Sequence, residues 1–411
     1  MDKRSTSQFD PTPQISVGES PDPSLLFEKL DAIRQKEILK RERQVKAAGE
    51  IAHYRWQIAQ HVHLLEDGVS HLNFESHPYQ KGIYQDPALD LVIFGSAQWG
   101  KTEFLIVDMA ASAGYGLKVL MVLSKGDKRD KFASSRLDPC FRTVPMYKEM
   151  LEAAASRAAD TDSTRFKHFG PGSINLVAAS SKKDFTSHPA DKTMIDEHQE
   201  CDQSNLVSVD DRMSASWFQG MVRVGHPTTG GTEQNANLDW LYQNSDRRIW
   251  KIACDTCGKV QMLTWWNHIV VETRSRSGIV AVRPRDAEWV PGGRLDIRPI
   301  CEECARPIDR LKDGEWVQLN PGHERHGYKL SNLYNATRRL DKLFERYSAA
   351  RFSSHLMSEF VNKQLGEPWD SDGAKITDAI LAACSAGEKT GILPYRFVHA
   401  SQFRWRKELV A

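Results

Sequence analysis

Gly95-Ser96-Ala97-Gln98-Trp99-Gly100-Lys101-Thr102 follows the apolar run Leu89-Asp90-Leu91-Val92-Ile93-Phe94 and precedes a helix-length stretch at 103–113. This complete G-x-x-x-x-G-K-T pattern, in strand, loop and helix context, predicts a phosphate-binding loop and a nucleoside triphosphate as its ligand. Each residue type has a task. The glycines let backbone N–H groups from Gly95 to Gly100 curl around phosphates, and the helix N-terminus adds positive potential. Lys101 reaches the outer phosphates, and the Thr102 hydroxyl ligates Mg²⁺. The alternative, a Gly-containing turn that binds nothing, leaves the flanking strand and helix unexplained.

The surrounding chain is organised by shifts in composition. Its 411 residues give room for roughly two or three domains. Charged residues make up 27%, yet the net charge is only +1, so total charge neither supports nor excludes a nucleic-acid partner. Residues 1–23 are polar and rich in Pro and Ser, without the apolar centre of a signal peptide, and read as a disordered leader. No apolar stretch has the length of a membrane span, so a soluble, intracellular protein is expected. Residues 24–75 read as an N-terminal helical region. Its mixed charges, as in Lys40-Arg41-Glu42-Arg43, fit a solvated face better than a face that contacts DNA or a partner.

Between 76 and 245 buried-strand candidates at 89–94, 117–123, 174–179, 193–195 and 221–224 alternate with helical or looping segments. Such alternation predicts an α/β core with a mostly parallel sheet whose ligand lies at the carboxyl ends of the strands. A small module at 246–320, a helical return segment at 321–369 and a weakly patterned tail at 370–411 complete the expected organisation.

Thr193-Met194-Ile195-Asp196-Glu197 is a short apolar strand ending in two acids. Opposite a phosphate loop, Asp196 would hold Mg²⁺, through water, and Glu197 would polarise the attacking water. This defines the expected fold class: an ASCE-type P-loop NTPase, the type with an added catalytic glutamate, carrying a zinc-ribbon insertion and an N-terminal helical region. Hydroxyls of Thr228 and Thr229, in His226-Pro227-Thr228-Thr229-Gly230-Gly231, are candidates for sensing hydrolysis, although on sequence alone an ordinary Thr/Gly turn explains them better. In His77-Pro78-Tyr79-Gln80 the Gln80 amide is able to pair with a base edge, with a plain loop as the alternative. An arginine that stabilises transition-state charge is expected in cis or from a neighbour; Arg136 is the first candidate, with Arg129 and Arg142 behind it.

Cys254-Asp255-Thr256-Cys257 and Cys301-Glu302-Glu303-Cys304 are two knuckles supplying four thiolates for a tetrahedral Zn²⁺. Cys140, Cys201 and Cys384 stand alone and read as structural. Trp265, Trp266, His268, Arg274, Arg276, Arg283 and Arg285 lie between the knuckles. Interleaved aromatic and basic residues suit contact with DNA, but tryptophans in a small module more often complete its core.

Taken in order, these segments resemble the large terminase subunit of tailed bacteriophages, in its lambda-like branch. The resemblance also uses Phe132-Ala133-Ser134-Ser135-Arg136-Leu137-Asp138-Pro139, Asn244-Ser245-Asp246-Arg247-Arg248, Gly327-Tyr328-Lys329-Leu330, Phe360-Val361-Asn362 and Leu365-Gly366-Glu367-Pro368-Trp369. It covers about 70–370 and implies an ATP-driven motor that moves viral double-stranded DNA into a procapsid through the portal. The implied partners are the portal protein, the small terminase subunit and other copies in a ring, in the host cytoplasm. The family continues into a metal-dependent nuclease, whereas 42 residues follow Trp369 here. That is too few to bury such a core, so no nuclease is expected in the chain, and a separate nuclease polypeptide is implied. Two other readings stay open. Asp196-Glu197-His198-Gln199 also resembles a helicase box, and an adaptor with a vestigial nucleotide site needs no turnover at all.

Overall fold

Strand β1 (Asp90–Gly95) is buried along nearly its whole length, as a central parallel strand must be. Its side chains alternate between two cores. Leu91 and Ile93 face the main core, while Val92 and Phe94 pack on the opposite face with Leu238, Leu241 and Tyr242. The computed structural model describes residues 23–156, 163–181, 183, 188–228, 237–275, 278–287 and 296–369; side chains are described for these except 23–30 and 273–279. Residues 1–22 of the expected leader, Thr229, Arg276, Cys384, the Arg274 side chain and the tail at 370–411 lie outside that description.

The chain divides into two units, Met1–Arg43 and Gln44–Ala411. The described part of the first is the leading half of helix α1 (Pro23–His61), and 31–39 are exposed. In the second unit α1 buries Ala47, Ala48, Ile51, Ala52, Arg55, Ile58 and Ala59, a spacing of three and four that keeps one face in the core. Within the expected N-terminal helical region, residues 23–61 form one continuous helix.

The other strands are β2 (Lys118–Leu123), β3 (Phe166–Phe169), β4 (Gly172–Ala178), β5 (Lys192–Ile195), β6 (Gly220–Gly225), β7 (Arg248–Ala253), β8 (Val260–Gln261), β9 (Ile269–Ser275), β10 (Gly278–Val282), β11 (Ile297–Pro299), β12 (Glu315–Gln318) and β13 (Arg325–Leu330). The main sheet runs β12-β7-β13-β1-β6-β5-β2-β4-β3, with β8 paired to β7. It is parallel from β7 to β4 and antiparallel at both edges. All five strands anticipated between 76 and 245 are there.

Two boundaries differ from expectation. β7 and β12, both within 246–320, belong to the main sheet, where Trp250 and Trp316 pack edge to face at 5.4 Å and Trp316 meets Tyr328 at 4.8 Å. The inserted part therefore lies between those strands and contains the small antiparallel sheet β10-β9-β11. The segment at 321–369, expected to be helical, begins with β13 beside β1. Arg-His-Gly-Tyr-Lys-Leu looks too polar for an inner strand. Its charges are neutralised in place: Arg325 pairs with Asp90 at 2.8 Å and His326 with Asp86 at 2.8 Å.

Candidate functional site

Register places three chain segments on one edge of the sheet. Phe94 lies opposite Gly225, and Ile195 opposite Arg223, so the loop after β1, the acids after β5 and the turn after β6 emerge together at the carboxyl ends of adjacent strands. In an open parallel sheet this crevice is where ligands bind.

The loop after Gly95 turns into helix α3 (Lys101–Gly114), with Gly100 at its N-cap in the left-handed region, φ 95°. Gly95 is required by close approach, since a Cβ there would lie 2.6 Å from the Leu330 carbonyl oxygen. Ser96 N–H donates to Leu330 O at 3.0 Å, and Ala97 N–H donates to Lys363 O at 2.7 Å. Ser96 and Trp99 are buried, and Gln98 has φ 65°. Two side chains brace the loop from outside. Gln80, on helix α2 (Tyr79–Tyr84), donates to Trp99 O at 2.7 Å, and Asn335 donates to Gln98 O at 3.0 Å. Gln80 thus reaches the loop's backbone.

Lys101 and Thr102 open α3. Burial lowers the Lys101 pKa, and the charges of Asp196, Glu197 and Glu200 work against that shift, so this lysine faces the acidic group across the crevice. Burial pushes Asp196 up to about 6, opposed mainly by Lys101. Asp196 accepts the Glu197 backbone N–H at 2.9 Å, and Glu197 stands in the left-handed region at φ 47°. A non-glycine residue held there carries backbone strain of the kind that clusters at functional sites.

Lys128, on helix α4 (Gly126–Phe132), binds Glu197 at 2.6 Å and also Glu200. Burial opposes the Lys128 charge, but these hydrogen bonds outweigh it and hold the ammonium above its ordinary range. Lys128 was not legible in the sequence, since nothing in Lys-Gly-Asp-Lys-Arg-Asp distinguishes it from a solvated turn. His226 at the end of β6 is lowered by burial and senses the charges of Lys101 and Glu197, which places it at the same site. Thr228 accepts from Asn237 at 3.3 Å.

Arg136 is not brought to this group. Its ionic partner among the described residues is Glu66, and the two line a cavity of about 260 Å³ with Glu103 and Cys140. Arg129 is buried and pairs with Asp130 at 2.8 Å.

Separately, Cys254, Cys257, Cys301 and Cys304 bring their sulfurs within 4.8 Å of one another. Cys254 and Cys304 are 3.7 Å apart, and Cys257 and Cys301 are 3.6 Å apart. Four thiolates around Zn²⁺ at ~2.3 Å form a tetrahedron with edges of ~3.8 Å, so the donor set fits that ion. Gln261 donates to the Cys301 sulfur at 3.1 Å. Of the interleaved residues, Trp265 is fully buried against Tyr347 and Phe360, and His268 is buried against Gln261. Here the tryptophan serves the core.

A mostly parallel sheet with a braced phosphate loop facing paired acids defines a nucleoside triphosphatase of the α/β class. Residues 69–316 match the family described as phage terminase large subunit gpA, ATPase domain. Residues 325–400 match the terminase large subunit gpA endonuclease domain. The chain belongs to the phage terminase large subunit gpA family.

Among solved structures, the Thermus phage P74-26 large terminase ATPase domain is 11% identical, with 69% of this chain and 90% of that chain covered and a TM-score of 0.41. A mutant of the same domain gives 10% identity, 71% and 93% coverage and 0.40. A large terminase from a thermophilic bacteriophage is 12% identical over 68% of this chain and 48% of that one, at 0.35. No curated protein matches.

The endonuclease match corrects the expectation that the nuclease domain is missing and resides on another polypeptide: the domain is matched in this chain. The 42 residues after Trp369 are not the whole of it, because the match begins at Arg325, in β13. Its described portion, 325–369, supplies that strand, helix α5 (Leu340–Ala350) and a π-helical turn, Phe360–Leu365, whose Lys363 carbonyl meets the phosphate loop.

Proposed function

We propose that this protein is the ATP-driven motor subunit that moves viral double-stranded DNA into a procapsid through the portal. The observation that carries this reading is the convergence of Lys101 with Asp196 and Glu197 at one sheet edge, in a chain of the terminase family. The loop amides from Gly95 to Gly100 and Lys101 bind the phosphates, and Gln80 steadies the loop near the base. Thr102 and Asp196 are the residues that hold Mg²⁺, which when bound neutralises phosphate charge. Glu197 orients the attacking water and accepts its proton. Lys128, paired with Glu197 at 2.6 Å, holds that carboxylate at the site and steadies its charge.

Thr228, and Thr229 with it, follow the strand between β1 and β5 and are suited to report hydrolysis to the rest of the chain. Arg136, paired on the far flank of α3, is suited to serve a neighbouring copy's site in a ring. The four cysteines hold Zn²⁺ as a structural ion. The portal protein and the small terminase subunit complete the assembly in the host cytoplasm. Among the described residues no helix is long and apolar enough to cross a membrane.

The test is ATP hydrolysis by the full chain, with and without linear duplex DNA, portal and small subunit. Turnover that requires Lys101 and rises with DNA supports the motor. Strand displacement would favour a helicase, and absence of hydrolysis under every condition would favour an adaptor. The endonuclease match supports a second activity in the same chain, DNA cleavage, tested by nicking of supercoiled plasmid with Mg²⁺ or Mn²⁺.

A further inference from the structure

The stretch 337–351, Thr-Arg-Arg-Leu-Asp-Lys-Leu-Phe-Glu-Arg-Tyr-Ser-Ala-Ala-Arg, has a face that the motor reading has not used. Helix α5 buries Leu343, Phe344, Tyr347, Ser348 and Ala350. Its opposite face presents Lys342 and Arg346, exposed and one turn apart. Together with Arg338 and Arg339 they line an open groove of about 510 Å³ in which Glu345 is the one acid.

The charges are not balanced internally. Arg339 is held by Asp341 at 2.6 Å and Lys342 by Glu345 at 2.7 Å. Arg338 and Arg346 have no carboxylate partner among the described residues, and each guanidinium repels the other. Burial, and then the charge of Arg346, lower the Arg338 pKa. Two like charges beside a groove cost stability unless an anion arrives from outside. The chain's net charge of +1 shows that this is a local concentration and not the consequence of a basic protein. Guanidinium forks are matched to phosphate.

The spacing selects a run of phosphates. Lys342 and Arg346 lie four residues apart on one face of α5, about 6 Å along its axis at ~1.5 Å per residue, and Arg338, just before the helix, lines the same groove. Phosphates on one DNA strand advance by ~3.4 Å each, so Lys342 and Arg346 match phosphates about two steps apart, and Arg338 adds a third cation to the same groove. The groove is also wired to the phosphate loop. Asn335 donates to Gln98 O, and its Oδ1 accepts from the Thr337 backbone N–H at 3.0 Å and hydroxyl at 2.8 Å, directly before Arg338.

We infer that Arg338, Lys342 and Arg346 grip the phosphate backbone of double-stranded DNA, and that Asn335 ties this grip to the nucleotide loop. The inference rests on the DNA-motor reading and assigns it a contact surface. The experiment measures binding of a 30-base-pair duplex to the full chain by fluorescence anisotropy across a KCl series. Replacing both arginines, Arg338→Gln with Arg346→Gln, should weaken binding at least tenfold and reduce the slope of log K against log salt by about two, at ~0.9 per phosphate contact. The charge-matched control, Lys46→Gln with Lys148→Gln, removes two exposed cations elsewhere and should leave the slope unchanged.

Should the double variant fail to fold, the single exposed change Arg346→Glu decides, with weaker binding expected. A slope equal to wild type, an equal loss in the control, or lost portal binding with DNA binding intact would each overturn the inference. ATP hydrolysis by the wild-type chain is recorded in parallel. Its absence sinks the motor reading, whereas hydrolysis together with DNA binding indifferent to both arginines sinks only the groove.

Discussion

Asp108→Asn tests whether the two halves of the nucleotide site are held in register by a buried charge cluster. Asp108 is fully buried on α3, two turns after Lys101; Arg55 of α1 reaches it at 3.0 Å and Lys192, the first residue of β5, at 2.8 Å. Lys192 also donates to Ser112 at 3.1 Å, and Arg55 to Tyr84 O at 2.7 Å. The cluster therefore ties the helix that starts at the phosphate loop to the strand that ends at Asp196. Asparagine keeps the shape but leaves two buried cations without an anion, a change that costs about 3–5 kcal/mol.

At roughly 2 °C per kcal/mol for a large domain, the melting temperature should fall by about 6–10 °C. ATP turnover should fall with it, because the loop and the acids lose their common anchor. Adding Lys192→Met removes one of the stranded cations and should recover part of the loss, while Arg55 keeps its backbone acceptors. The pH dependence has a definite sign. Burial raises the Asp108 pKa, but Lys192 and Arg55 outweigh it and hold the carboxyl below its ordinary range. Its stabilisation is complete above that range and disappears as pH falls through the depressed value. The gap between wild type and variant should thus be constant from about pH 5 to 8 and narrow in acid. A single-variant loss under about 1 kcal/mol at neutral pH would refute the argument.

Three further outcomes are expected. Glu197→Gln should retain nucleotide binding, read by a fluorescent ATP analogue, while losing at least a hundredfold in turnover, as removal of a general base does; near wild-type rates would remove Glu197 from the mechanism. With Asp196 at about 6, Mg²⁺ affinity titrated in the presence of nucleotide should be level above pH 7 and about tenfold weaker by pH 5, and a flat profile would contradict the assignment of this ligand. Elemental analysis of protein purified without chelator should find about one zinc per chain, and Cys301→Ser should abolish it and unfold the insertion.

Much of the candidate site's placement was legible because the glycine-lysine pattern demands fixed residue types at fixed spacing: the loop, its strand and helix, and the strand ending in Asp196 and Glu197 all lie at one edge of the sheet, as the pattern requires. The cysteine spacing likewise foretold the cluster. What was not legible depends on residues far apart in sequence. Lys128 acquires meaning only when β2 and β5 pair. Asn335 and Lys363 reach the loop from beyond the insertion. β13 was hidden because its Arg325 and His326 read as surface charge until Asp90 and Asp86 are seen beside them. The domain boundaries failed for the same reason, since the aromatic strands β7 and β12 resemble a small module's core until their partners are known. The nuclease was misjudged by measuring from the last recognised segment.

The pairing of β13 with β1 has a consequence for biosynthesis. Asp90 lies in register with Arg325, so one edge of the phosphate-loop strand has no partner until the ribosome has produced another 235 residues. At ~5–20 residues per second that wait lasts roughly ten to fifty seconds, during which an apolar strand with unsatisfied backbone groups is exposed to other nascent chains. A newborn polypeptide in this interval cannot close its phosphate loop onto Leu330 and Lys363. Closure of the loop at 95–102 onto those carbonyls therefore comes late in translation, after the four cysteines have emerged, and chaperone demand should be greatest before that point.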